Sequence, residues 1–201
     1  MLRLSRDQVI TVIEPHSEQL YRVGSEPFAR YIQEYPNLAL HSPRTRANIV
    51  WDLMIDQVQR EFRGVRNTEI IMRPSGIVLL AIADKVCFRC KKLDEDGLPS
   101  NYPTSAALSW DRDEDLPGIP SALERLSLGY KLNNLQTAVR AVQITSTFYG
   151  RYQYGITLEE PSEGLLLMDN RGRDSGGGAA SAARNQRRVF IRPTEEQTEM
   201  G

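Results

Sequence analysis

A chain of 201 residues with 40% hydrophobic and 25% charged residues has the composition of a soluble globular protein with one substantial core. No apolar run approaches the roughly 18 residues needed to cross a membrane, and Arg3, Arg6 and Asp7 leave no room for the apolar part of a secretory signal. We therefore expect a cytoplasmic protein with one domain over residues 1–165 and a flexible tail, rich in Gly, Ala and Arg, over 166–201.

The net charge of −1 conceals a separation of opposite charges along the chain. Residues 41–92 contain ten Lys and Arg against five Asp and Glu, whereas residues 94–124 contain eight acids against Arg112 alone. Two interpretations remain open. The segments neutralise each other within one fold, or an anion site lies beside an acidic surface that binds a metal ion or mimics nucleic acid.

The first predicted helix begins at Ser5-Arg-Asp-Gln8, which has the pattern of a capping box. Pro15 should kink or end that helix because proline cannot donate the next hydrogen bond. A second helical stretch from Ser17 is expected to stop near Gly24, to restart at residue 26 and to end before Pro36.

A further helix is predicted from Ser42-Pro43, a cap followed by proline at the first helical position, to Gly64. Its apolar residues recur at the spacing of a buried helix face. They are Ala47, Val50, Met54, Val58 and Phe62.

After residue 67 the apolar period changes from that of a helix to that of strands. The predicted strands cover 69–72, 76–82, the segment after Ala83-Asp84, 125–132, 137–147 and 149–158. Residues 94–120 form a long loop with one helical turn at 104–109. Helices followed by strands predict an α+β fold, in which the N-terminal helices pack on one face of a mainly antiparallel sheet of five or six strands.

The strand predicted after Asp84 carries cationic residues at alternate positions. Side chains of a strand alternate between faces, so its cationic residues share one face and its apolar residues the other. The cationic face is that of Lys85, Cys87, Arg89 and Lys91, and the apolar face is that of Val86, Phe88 and Cys90. A polyanion or an acidic partner suits such a face.

The start of the predicted helix at Ser42 is a candidate anion site. Arg44 and Arg46 lie in its first turn, where positive charge costs about 0.3 to 1 kcal/mol per residue. A phosphate or carboxylate held by the free amides, the two arginines and His41 would offset that cost. In the alternative interpretation, acids of this protein pair with the arginines.

Arg89 and Lys91 on the strand and Asn101 in the loop complete the candidate ligand-binding set, since an amide between prolines can fix a base or sugar edge. No catalytic residue is identified, because motifs for a catalytic nucleophile or a phosphate loop are absent. We expect no metal and no cofactor.

The pair Cys87-Phe-Arg-Cys90 has the spacing of zinc and redox sites, but the chain lacks a second ligand pair, and the two cysteines point to opposite faces of a strand. We expect buried, reduced cysteines with a structural role.

Residues 41–46, 88–104 and 116–120, with Gly129-Tyr130, resemble a group of uncharacterised bacterial proteins. These are encoded beside a helix-turn-helix regulator with an ImmA/IrrE-type metallopeptidase domain, and the resemblance covers residues 20–158. It implies a toxin–antitoxin or phage-defence pair with a cognate antitoxin or regulator as partner.

Together with the cationic residues, this context suggests an effector that acts on a nucleotide or a nucleic acid. We expect no membrane partner. Two alternatives remain. The first is a non-enzymatic nucleic-acid-binding module, and the second is an inhibitor protein whose acidic segment mimics a phosphate backbone.

Overall fold

The computed structural model describes residues 3–35, 41–73, 76–100, 104–116, 119–120, 122–161 and, for their backbone, 191–193. The fold is α+β, with N-terminal helices preceding a mostly antiparallel sheet, as predicted. The helices are α1 (Arg6–Ile13), α2 (Ser17–Glu34), α3 (Pro43–Phe62) and α4 (Ser105–Asp111), with a short 3₁₀ helix at Glu14–His16. None of the described helices is both long and apolar enough to span a membrane.

Local capping signals decide where α1 and α3 begin. The Ser5 hydroxyl accepts from the Gln8 amide and the Gln8 side chain accepts from the Ser5 amide, so the predicted capping box is present. Ser42 caps α3 by accepting from the Thr45 amide at 3.1 Å. Pro15 lies in the 3₁₀ helix that separates α1 from α2, which confirms the predicted break.

The predicted interruption near Gly24 is wrong, because α2 continues through Gly24 and Pro27 to Glu34. Gly24 is buried where α2 crosses the sheet, and a Cβ there would collide with the side chain of Val142. The glycine permits close packing of a helix on a strand rather than ending the helix. Burial of the α2 face overrides the weak local preference against helix.

The sheet follows chain order. Its strands are β1 (Thr68–Met72), β2 (Val78–Ile82), β3 (Val86–Lys92), β4 (Glu124–Leu132), β5 (Val139–Phe148), β6 (Arg151–Leu158) and β7 (Ile191–Pro193). Six strands lie in the predicted domain, and the short β7 comes from the predicted tail and pairs with β6. All neighbours are antiparallel except β3 and β4, which are parallel.

One face of the sheet is covered by helices, and the other face is covered at least over β1 to β3. Helices α1 to α3 bury one face in the main core, which includes Phe62, Phe88 and Leu128. The connection between the parallel strands, with α4, covers the other face and forms a smaller cluster around Cys87 and Trp110. Of the cationic face predicted for β3, Arg89 lies beneath α4 and Lys91 is partly buried beside it, while Lys85 is exposed, so a long polyanion cannot lie flat along this face.

Candidate functional site

A notch opens between β2 and β3. Their pairing ends at Leu80 and Phe88, although β2 extends to Val78 and β3 to Lys92. The gap forms a pocket of about 200 Å³ whose lining comes from both faces of the sheet. The lining residues are Trp51, Gly76, Ile77, Val78, Leu79, Arg89, Cys90, Lys91, Thr104, Ala106, Ala107, Trp110 and Leu116. We call this pocket the β2–β3 notch.

Arg89 is the unusual side chain of the notch. It is only 8% exposed, and its Nε donates to the Ser127 hydroxyl at 3.1 Å. Its buried Nη2 has no hydrogen-bond partner, and Arg89 takes part in none of the ion pairs among the described residues. Burial lowers the pKa of Arg89 to about 10, although the charge of Asp111 opposes that shift. A buried guanidinium without a counter-ion favours an anionic ligand.

Lys91 follows Arg89 on the same face of β3 and also lines the notch. Burial lowers the pKa of Lys91, and repulsion from the Arg89 guanidinium lowers it further. Two cations therefore share one partly enclosed site, and neither forms an ion pair with a described acid, although the more distant charge of Asp111 acts on Arg89. An anion bound between them would reverse both effects.

Two tryptophans contribute aromatic surface to the notch, Trp51 from α3 and Trp110 from α4. The Trp110 ring contacts the Arg89 guanidinium at 5.1 Å and the Arg125 guanidinium at 5.7 Å from its centroid. Arg125 in turn donates to the carbonyl oxygens of Ser109 and Glu114, at 3.2 and 2.8 Å. These contacts fix α4 over Arg89, so the charged and aromatic surfaces of the notch are preorganised.

The structure brings together only Arg89 and Lys91 of the predicted ligand-binding residues. His41 lies at the start of α3, where its Nδ1 is 3.0 Å from the Tyr31 hydroxyl. Arg46 lines a separate, very small cavity with Lys92 and Tyr130. Asn101 lies outside the described residues.

Arg44 is exposed, and neither it nor Arg46 forms an ion pair with a described acid. The acids of the described structure therefore do not neutralise the start of α3. Arg44 precedes Trp51 by seven residues, so the two share one face of α3 about 10 Å apart. Arg44 therefore lies about two turns N-terminal to Trp51 on α3.

The acidic segment is largely engaged within the fold. Asp111 accepts from the Gly150 amide, Asp113 lies 3.4 Å from the Arg3 guanidinium, and Glu114 accepts from the Ser109 hydroxyl at 2.8 Å. The described residues contain no group of three His, Cys, Asp or Glu that could hold a metal ion. Its ion pairs are with Arg3, Arg112 and Arg140, so among the described residues the acidic segment is not neutralised by the basic segment 41–92.

A larger cleft of about 540 Å³ lies around Glu124, at the beginning of β4. Glu124 is buried, accepts from the Leu4 amide at 3.1 Å and lies 3.3 Å from the Arg3 guanidinium. Burial raises the pKa of Glu124, while Arg3 and the Leu4 amide oppose that rise. Because Arg3 also pairs with Asp113 and stacks on Phe148 at 4.9 Å, these charges hold the N-terminal segment in place. The β2–β3 notch, whose cations form no ion pair with any acid that the structure describes, is the stronger candidate site.

Both cysteines are buried and free. Cys87 belongs to the cluster under α4 and Cys90 to the main core, which confirms that they face opposite sides of the sheet. Burial raises the pKa of each thiol to about 12. Thiols with such values are protonated at neutral pH and are poor nucleophiles.

Comparison of the chain with protein-family models, curated proteins and solved structures finds no match. The bacterial resemblance noted from the sequence gains no support from these comparisons. The geometry of the notch is therefore the basis for a functional proposal.

The sequence pointed to Arg89 and Lys91 but missed the notch and its aromatic walls. One signal was available, because Trp51 and Trp110 are the only two tryptophans of the chain, and both line the pocket. Their proximity depends on where β2 and β3 separate, which no local sequence pattern indicates.

Proposed function

We propose that the protein binds a nucleotide or a nucleic acid in the β2–β3 notch and acts as the effector of a bacterial defence or toxin–antitoxin module. The observation that carries the binding proposal is the buried guanidinium of Arg89, whose Nη2 has no hydrogen-bond partner and which forms no ion pair with a described acid. Lys91 adds a second cation, and two tryptophans provide flat apolar surface. Phosphate beside a planar base is the ligand chemistry that combines these requirements.

The effector role and a cognate antitoxin or regulator as partner follow from the bacterial resemblance. They are tested by growth of bacteria after induced expression of the wild type and of Lys91→Met, which removes one charge of the notch. Lys85→Met is the matched control, since Lys85 is an exposed lysine before β3 that does not line the notch. We expect arrest with the wild type and the control, and normal growth with Lys91→Met at equal soluble protein level.

Growth arrest by all three proteins would show that toxicity does not depend on the charge of Lys91 in the notch. Normal growth with all three would contradict the effector role. The binding proposal would then be tested by direct measurement of ligand affinity. Normal growth with all three would also favour the second candidate, a non-enzymatic nucleic-acid-binding module, to which the exposed and unpaired Arg44 would contribute. Such binding should weaken steeply with salt because phosphate contacts release counter-ions.

The third candidate is an inhibitor that mimics nucleic acid. It requires acidic side chains that are available to contact a partner protein. Asp111, Asp113 and Glu114 contact groups of this protein instead. The geometry therefore favours binding of an anion over presentation of one.

A further inference from the structure

We infer that the β2–β3 notch takes one nucleotide unit through its terminal phosphate group, either as a free mononucleotide or as the phosphorylated end of a single strand. This inference rests on the proposed nucleotide or nucleic-acid function and narrows its ligand. Three properties of the notch carry it, namely its size, its depth and its charge.

The size limits how much of a ligand can enter. A volume of about 200 Å³ lies below the roughly 300 to 1,000 Å³ of pockets that enclose a drug-sized ligand. The notch therefore accommodates a phosphate with part of one nucleoside, and the remainder of a longer ligand has to stay outside.

The depth excludes internal phosphates of a duplex. Arg89 is 8% exposed and lies between the sheet and α4, so a phosphate must leave the surface of its own molecule to reach it. An internal phosphodiester is flanked by chain on both sides and is held on the outside of a double helix. A terminal phosphate has one free side and can enter.

The charge matches a phosphomonoester better than a diester. Arg89 and Lys91 supply two cationic groups to the notch, and neither has an ion-pair partner among the described acids. A phosphomonoester carries about 1.5 to 2 negative charges at neutral pH. An internal diester carries a single charge and would leave one cation unbalanced.

The effect of Arg44 on binding distinguishes a free mononucleotide from the phosphorylated end of a strand. Arg44 lies outside the notch, about 10 Å from Trp51 along the same face of α3. A free mononucleotide has no phosphate beyond the one held between Arg89 and Lys91, whereas the following nucleotides of a strand carry phosphates outside the notch that Arg44 could contact.

The test measures binding to the full chain by calorimetry, with tryptophan fluorescence as a second signal. Both tryptophans of the chain line the notch, so a change in tryptophan fluorescence indicates a change in the surroundings of this site. The probes are a short single strand with a 5′-phosphate, a 3′-phosphate or hydroxyls at both ends, a closed circular duplex, adenosine 5′-monophosphate, adenosine and inorganic phosphate. We expect one of the phosphorylated strands, or the monophosphate, to bind at least about tenfold more tightly than its unphosphorylated counterpart.

Lys91→Met should abolish that tenfold preference, and Lys85→Met should retain it. Ala107→Leu, which fills the notch without changing charge, should weaken binding of every phosphorylated probe. Arg44→Ala should weaken strand binding several-fold if the ligand is a strand end, and should leave mononucleotide binding unchanged. Arg63→Ala, an exposed arginine just after the other end of α3, is its control.

Equal affinity for phosphorylated and unphosphorylated strands, or tight binding of the closed duplex, would overturn the inference and leave a nucleic-acid function standing. Absence of binding to every nucleotide and strand would overturn both. Binding of inorganic phosphate as tight as that of the monophosphate would show that the notch reads phosphate alone, which also contradicts the inference.

Discussion

Replacement of Arg89 by methionine separates a ligand-binding role from a structural one. Methionine keeps much of the length of the side chain and removes its charge. In the folded protein, burial lowers the pKa of Arg89 from 12.5 to about 10. At neutral pH, below both values, that difference corresponds to a cost of about 3 kcal/mol for keeping the group charged in the fold.

Two contacts offset that cost. The hydrogen bond from Arg89 to the Ser127 hydroxyl contributes about 1.5 to 3 kcal/mol, and the contact with the Trp110 ring contributes about 1 to 2 kcal/mol. The gains and the cost are therefore of similar size. Because the buried Ser127 hydroxyl also loses its donor, we expect Arg89→Met to lower the free energy of unfolding by no more than about 1 to 2 kcal/mol, whereas shortening a buried side chain usually costs about 2 to 5 kcal/mol.

Arg125→Met is the matched control. Arg125 is also buried and contacts the same Trp110 ring, but it donates to two backbone carbonyl oxygens. Its removal leaves these carbonyls without their partner, and we expect a loss of about 2 to 4 kcal/mol. Both variants are measured by urea unfolding followed by circular dichroism. If Arg89→Met costs as much as Arg125→Met, Arg89 is a structural residue and the main argument for the notch fails.

Three further predictions concern the rest of the fold. Burial raises the pKa of Glu124 despite Arg3, so the folded state loses stability as pH rises and this carboxyl ionises. Glu124→Gln should therefore raise the melting temperature at about pH 7 and not at about pH 4. The same difference in melting temperature between variant and wild type at both pH values would contradict this. In the native protein, Cys87 and Cys90 should not react with a thiol reagent, and after unfolding both thiols should react. Rapid labelling of the native protein would contradict their burial. Gly24→Ala should lower the free energy of unfolding, since overpacking costs about 1 to 3 kcal/mol and the gain in helix propensity is at most about 1 kcal/mol; a urea midpoint at or above that of the wild type argues against close packing of α2 on the sheet.

Most element boundaries were predictable because their causes are local. The Ser5 and Ser42 caps and the left-handed backbone at Gly64, after the end of α3, each depend on a few neighbouring residues. The alternation along β3 also placed Cys87 and Cys90 on opposite faces correctly. Gly24 misled the prediction because its role depends on Val142, which is distant in the chain.

The candidate site was only partly predictable. Charge and alternation identified Arg89 and Lys91, yet they could not indicate that α4 covers Arg89 or that β2 separates from β3 beside it. Arg44 and Arg46 were grouped with Arg89 because all are cations. The structure places Arg46 with Lys92 and Tyr130, and leaves Arg44 exposed.

The sequence by itself determined the α+β class, the order of the helices and strands and the two faces of β3, because hydrophobic period and capping chemistry act over a few residues. Tertiary structure alone decided that β3 and β4 are parallel, that the connection between them covers Arg89, and that Trp51 and Trp110 line one pocket. These features depend on contacts between residues far apart in the chain. Which distant groups meet is determined by how all elements share one core.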